Sequence, residues 1–140
     1  DLHSFPTRRS SDLVVGVDVR LVTPGIPDKH LIYRLTRSYY RPLINAGVKI
    51  YEYIPGFIHA KSFISDDRIG VVGTINLDYR SLFLHFECGT LMVGCAALRD
   101  LKEDCERTFA RSREITEKDC YHTFIGLLFD SVLRVISPLL

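Results

Sequence analysis

Residues 58–81 read IHAKSFISDDRIGVVGTINLDYRS. Two runs rich in Ile, Val and Phe flank the polar triplet Asp66-Asp67-Arg68. That arrangement predicts a β-hairpin, with strands from Ile58 to Ser65 and from Ile69 to Thr74 joined by a tight turn. Side chains alternate along a strand, so His59 and Lys61 project to one side while Ala60 and Ser62 face the other. By the same parity Thr74 and Asn76 share a face at the end of the neighbouring strand. Four such side chains can surround one small anion: Lys61 brings charge, Asn76 an amide donor and Thr74 a hydroxyl. The imidazole of His59, with an ordinary pKa of about 6.5, suits proton or phosphoryl transfer near neutrality. A lone histidine in an apolar run is more often a packed core residue; here the argument rests on a constellation. His-x-Lys-x-x-x-x-Asp followed at these offsets by Gly73 and Asn76 arises by chance in about a few chains per hundred thousand, if each residue type occurs at roughly 5%.

The rest of the composition sets bounds. At 140 residues, 46% hydrophobic and 25% charged, the chain is one domain's worth and able to bury a core. A net charge of +1 gives no broad basic footprint, which argues against a general nucleic-acid binder. Cys88, Cys95, Cys105 and Cys120 form no C-x-x-C pair and no zinc spacing. They read as free, mostly buried thiols of a reducing compartment. No carboxylate cluster suggests a metal, and no cofactor is implied. No run approaches the roughly 20 apolar residues of a spanning helix, so membrane contact is expected to be peripheral or to come from elsewhere.

Taken in order, the first thirteen residues, DLHSFPTRRSSDL, fit poorly with the rest of the chain. His3 to Leu13 resembles a one-frame translation of a sequencing-adapter oligonucleotide and is set aside from fold reasoning. The rival reading is a basic arm around Arg8 and Arg9. Val14 to Val22 predicts a strand, with a turn at Thr23-Pro24-Gly25. A helix is expected from Pro27-Asp28, with Asp28 as N-cap and Leu31, Leu35 and Tyr39 on one face. Pro42 is expected to start a second short helix ending at Gly47. Val48 to Tyr53 and Cys88 to Val93 read as strands, and Ala96 to Arg113 as an amphipathic helix carrying Leu98, Leu101, Cys105 and Phe109 inward. Thr116 to Leu140 is helical in pattern. There Thr123, Gly126, Asp130, Arg134 and Ser137 form a polar stripe, and Phe124, Leu127, Leu128, Val132, Val135 and Ile136 cover much of the rest. Such a tail packs on a protein core or lies in a bilayer interface, with core packing favoured. Strands alternating with helices argue for an α/β domain, a mixed β-sheet flanked by helices.

The spacing resembles the HKD motif of the phospholipase D superfamily, with Thr74 where Gly or Ser is commoner. The run from Tyr39-Tyr40 through Tyr53, then Pro55-Gly56-Phe57, the run from Asn76 to Ser81 and His85-Phe86-Glu87 resemble the second catalytic half of bacterial cardiolipin synthases. The likeness covers about Val14 to Leu140 and implies a phospholipase D-like half within a two-motif enzyme. It implies His59, Lys61 and Asp66 as catalytic residues, with Lys61, Thr74 and Asn76 on the phosphate. Glu87 would orient the histidine, as the carboxylate does in a Ser-His-Asp triad. Asp66, at a strand end, equally suits turn duty or an ion pair with Arg68 or Arg80. The implied reaction makes cardiolipin from two phosphatidylglycerols through a phosphohistidine, which splits one hard displacement into two easier ones. The implied partners are phosphatidylglycerol and other anionic phospholipids, and a membrane surface. The site also needs a second motif, from an N-terminal half in the same chain or from a homodimer. No nucleic acid is implied. The setting would be the bacterial cell membrane, cytoplasmic side. The alternatives are a phosphodiesterase or nuclease that uses water, and a fragment inactive without its partner half.

Overall fold

A computed structural model of the chain describes residues 16–120 and 124–136. Its elements are β1 (Arg20–Pro24), α1 (His30–Ser38), α2 (Tyr40–Asn45), β2 (Lys49–Tyr53), β3 (Ser62–Ser65) and β4 (Ile69–Gly73). Then come α3 (Tyr79–Phe83), β5 (Gly89–Val93), α4 (Ala97–Ala110), β6 (Ser112–Ile115), a 3₁₀ turn (Glu117–Cys120) and α5 (Phe124–Ile136). The architecture is α/β with strands flanked by helices, as expected, but the strands divide between two sheets. In the first, β2 pairs parallel to β1 and antiparallel to β6. In the second, β3, β4 and β5 form an antiparallel meander.

The core lies against the first sheet, where Tyr40, Val48, Ile50, Ile115 and Cys120 are buried together. The Tyr40 hydroxyl shares a 2.6 Å hydrogen bond with Thr23, so burying that ring leaves no polar atom unmet. Glu52 is also buried. Arg37 and Arg113 face it at 3.5 and 3.1 Å, and Tyr33 donates to it at 3.3 Å. Helix α4 ties the sheets together. A Cβ at Gly70 would stand 2.6 Å from a terminal methyl of Leu98, so α4 lays its leucine side chains directly over this glycine of β4. At the other end of α4, Phe109 meets Tyr51 of β2 edge-on, with ring centroids 5.1 Å apart.

Several local expectations are corrected. Among the described residues the first strand begins at Arg20, so residues 16–19 of the expected strand are not part of it and Val14 lies outside the described residues; it runs through the expected turn because Pro24 pairs with Tyr53. Chain reversal waits for Gly25, whose N–H reaches Tyr53 O at 2.9 Å. Asp28 is not the helix cap: α1 starts at His30, and its N-cap, Lys29, makes no side-chain cap bond. Helix α2 starts at Tyr40, two residues before Pro42, where a first-turn proline forfeits no helical bond. It ends as expected, with Gly47 left-handed at φ 92° and its N–H on Ile44 O at 2.8 Å. Helix α4 stops at Ala110, and Ser112–Ile115 becomes a strand paired to β2. The four cysteines are free, but Cys88 and Cys95 are exposed; of the four only Cys120 is buried.

The tail departs most from its sequence reading. Helix α5 turns its polar stripe inward: Asp130 is buried and paired with Arg34 at 2.8 Å, and Arg134 reaches Ser38 of α1 at 3.1 Å. Leu133 is buried, while Leu127, Leu128, Val132 and Val135 are 45–80% exposed. Thr123 and Ser137 lie outside the described residues, as do residues 1–13. No helix among the described residues is long and apolar enough to cross a membrane.

Candidate active site

The hairpin forms with a turn of defined type. Asp66 and Asp67 both have positive φ, 51° and 56°, and Arg68 N–H returns to Ser65 O at 3.1 Å. Two left-handed central residues make a type I′ turn, whose twist matches that of the flanking strands. The regular ladder starts at Ser62, not Ile58. His59 and Lys61 therefore precede the strand, yet Gly73 N–H still bonds Lys61 O at 3.1 Å and keeps that segment extended. On the other strand the ladder ends at Gly73, and Thr74 N–H carries on to Cys88 O at 2.9 Å. A Cβ at Gly73 would lie 2.2 Å from Cys88 O and 2.6 Å from Gly89 Cα. Only glycine permits that approach, which draws β4 and β5 together beneath the site.

An open cleft of about 330 Å³ results, lined by His59, Lys61, Gly73, Thr74, Asn76 and Glu87. The imidazole of His59 stacks on Phe57, with centroids 5.8 Å apart and planes 18° apart. Lys61 Nζ donates to the carbonyl of His59 at 2.8 Å, which folds the ammonium back toward the histidine. Asn76 Nδ2 donates to Ser81 Oγ at 3.3 Å, leaving its second amide proton for a ligand. Ser81 is itself fixed, its N–H on the N-cap carboxylate of Asp78 at 2.7 Å.

Glu87 sits in the same cleft, but its hydrogen bond comes from Thr74 Oγ1. That bond first, and one from Ser81 second, hold its carboxyl below the usual carboxylate range. Thr74 Oγ1 also accepts from Cys88 N–H at 3.0 Å. A hydroxyl has one proton, and Thr74 spends it on Glu87, so here it braces the carboxylate and does not face outward as a donor. Asp66 lies in the hairpin turn, accepts from Ser65 Oγ at 3.3 Å, and does not line the cleft. It makes no ion pair among the described residues; Arg80 instead donates to His85 Nε2 at 2.6 Å. Ser81 was not singled out by the sequence reading. Its signal was the Asp-x-x-Ser spacing at 78–81, an N-cap carboxylate with its acceptor bond three residues on.

Known proteins share this arrangement of sequence and fold. A family model described as cardiolipin synthase, PLD-like domain, matches residues 13–111. A Streptococcus mutans protein of uncharacterized function is 49% identical over 126 residues, which is 89% of this chain and 27% of that protein. Cardiolipin synthase 2 of Bacillus cereus is 39% identical over 129 residues, 91% of this chain and 25% of the synthase. The cardiolipin synthase of Geobacillus kaustophilus is 38% identical, covering 89% and 25%. The chain thus spans about a quarter of the length of these relatives. Among solved structures, the phospholipase D family member Nuc from Salmonella typhimurium superposes with a TM-score of 0.64 at 15% identity, over 77% of this chain and 70% of that one. That likeness is one of fold.

Proposed function

The chain belongs to the phospholipase D-like family represented by the cardiolipin synthase domain, and from that premise we propose that it is one catalytic half of a phosphatidyltransferase. The substrate is phosphatidylglycerol. A ring nitrogen of one motif histidine, His59 or its counterpart on the second motif, forms a bond to phosphorus as the glycerol oxygen leaves, taking a proton from the other. A hydroxyl of another phosphatidylglycerol then attacks the phosphohistidine, loses its proton to that same group, and departs as cardiolipin while the imidazole is released. One glycerol is freed per turnover. Lys61 and Asn76 hold the non-bridging oxygens and stabilise the charge that grows on them. Thr74 holds Glu87 beside the histidine, and Asp66 serves by shaping the turn.

The observation that carries this reading is the convergence of His59, Lys61 and Asn76 on one cleft, an imidazole with two anion-binding donors. The second motif comes from an N-terminal half of the same polypeptide, or from a second copy of the chain. The working place is the cytoplasmic face of the bacterial cell membrane, where the lipid substrate lies. A protein carrying both motifs, given phosphatidylglycerol vesicles, is expected to release glycerol and form cardiolipin. His59→Ala is expected to abolish both products and the acid-labile phosphoenzyme. Phosphatidic acid without cardiolipin would instead mean that water is the acceptor, and full turnover by His59→Ala would remove the histidine from the chemistry.

A further inference from the structure

The chain on either side of the residues that line the cleft carries apolar side chains that the fold turns outward. After Asn76 the chain makes the short helix α3 and a turn in which Leu84 and His85 N–H groups both bond Arg80 O at 2.9 Å. Arg80 Nε adds its bond to His85. That pinned turn leaves Phe83 67%, Leu84 60% and Phe86 fully exposed, and the Tyr79 ring rests beside Phe83 with centroids 4.9 Å apart. Phe57, 54% exposed, stacks on the cleft residue His59. Phe86 immediately precedes Glu87, so this apolar edge is continuous with the cleft wall.

Charge decides what the edge meets. Residues 79–86 contain Arg80 and His85 and no acidic group. Asp78 and Glu87 flank the segment, each held by a hydrogen bond, from Ser81 N–H and from Thr74. Lys61 supplies a second cation just inside the cleft. Projecting aromatic and leucine side chains beside exposed Arg80, with Lys61 in the adjoining cleft, match an anionic bilayer interface, where rings bury among acyl chains and cations meet headgroup phosphates. Two other uncovered apolar areas, Ile69, Leu91 and Val93 on the second sheet and Leu127, Leu128, Val132 and Val135 on α5, do not adjoin the residues that line the cleft.

We propose that residues 79–86, with Phe57, form a membrane-inserting edge that seats the cleft at headgroup depth on an anionic phospholipid bilayer. The inference rests on the phosphatidyl-transfer reading and deepens it by saying how the cleft meets its lipid.

The chain contains no tryptophan, so a single substitution reports its own site. In the 140-residue chain, Phe86→Trp is expected to blue-shift its emission with phosphatidylglycerol vesicles and to be quenched by brominated phosphatidylglycerol. The shift should be much weaker with phosphatidylcholine vesicles. Val93→Trp, on the second sheet, should not respond. Phe83→Ser or Phe86→Ser should each weaken vesicle partition about tenfold, with the circular dichroism unchanged because both rings are exposed. Three results would overturn the proposal: unshifted Phe86→Trp emission with phosphatidylglycerol, an equal response at Val93→Trp, or a blue shift that tracks protein concentration without lipid and so reports a second copy. None of these readouts needs turnover. Failure to insert alongside intact cardiolipin formation by the two-motif protein would sink the edge alone, and insertion with wild-type turnover by His59→Ala would sink the transferase reading alone.

Discussion

Thr74 shows how much one hydroxyl decides. Its proton goes to Glu87 and its lone pair takes the Cys88 N–H, so the carboxylate that the family resemblance assigns to His59 is held first by a residue just past the end of β4. The hydrogen bonds favour the charged form, which lowers the folded-state pKa of Glu87. The bond is therefore fully present above the ordinary carboxylate pKa and lost as pH falls through the lowered one. Thr74→Val keeps the shape and removes the proton. We expect the Glu87 carboxyl, followed by carbon NMR through an acid titration, to move up toward its ordinary value in that variant. An unchanged Glu87 titration would mean that Thr74 is not what holds it. At this scale the site was legible in part. Parity along the hairpin put His59 and Lys61 together because an extended segment alternates whether or not it is in a ladder. The direction of Thr74's proton was not legible, since it depends on where Glu87 and Cys88 come to lie just before β5.

Among the elements, β6 is the clearest case of tertiary context overriding local pattern. Ser112-Arg113-Glu114-Ile115 carries a single apolar residue and reads as the frayed end of a helix. What makes it a strand is pairing with β2, burial of Ile115, and the reach of Arg113 to Glu52. Glu52 then becomes a test of that sheet. Its carboxylate is buried, whereas the side chains of Arg37 and Arg113 are 29% and 50% exposed, so the arginines can rehydrate when it is gone. Glu52→Ala should cost about 2 kcal/mol in urea unfolding, and Arg113→Ala less than about 1 kcal/mol, because Arg37 and Tyr33 remain. The reverse order would contradict the assigned network. Helix α5 was half legible: the 3.6-residue period was right, but its inward face was not. Arg34 and Ser38 on α1 draw in Asp130 and Arg134, and a partner 96 residues away leaves no mark on local periodicity. The short helices were misplaced by a residue or two for a similar reason, since α1 starts without a side-chain cap.

At the scale of the molecule, two small sheets held by α4 present one cleft, with an apolar lip beside it and the outward face of α5 elsewhere. That layout divides the labour. On the proposed reading the hairpin supplies the chemistry and the α3 turn the approach to lipid, while the core against the first sheet holds Tyr40, Val48, Ile50, Ile115 and Cys120. The central claim is that His59, Lys61 and Asn76 bind a phosphodiester in common. A direct measurement is an NMR titration of the 140-residue chain with short-chain, monomeric phosphatidylglycerol, which needs neither a membrane nor the second motif. We expect saturable shifts in the His59 ring and at Lys61, Gly73, Thr74 and Asn76, weakened together by Lys61→Ala. Shifts confined to other surfaces, or a Lys61→Ala titration indistinguishable from that of the unaltered chain, would contradict it.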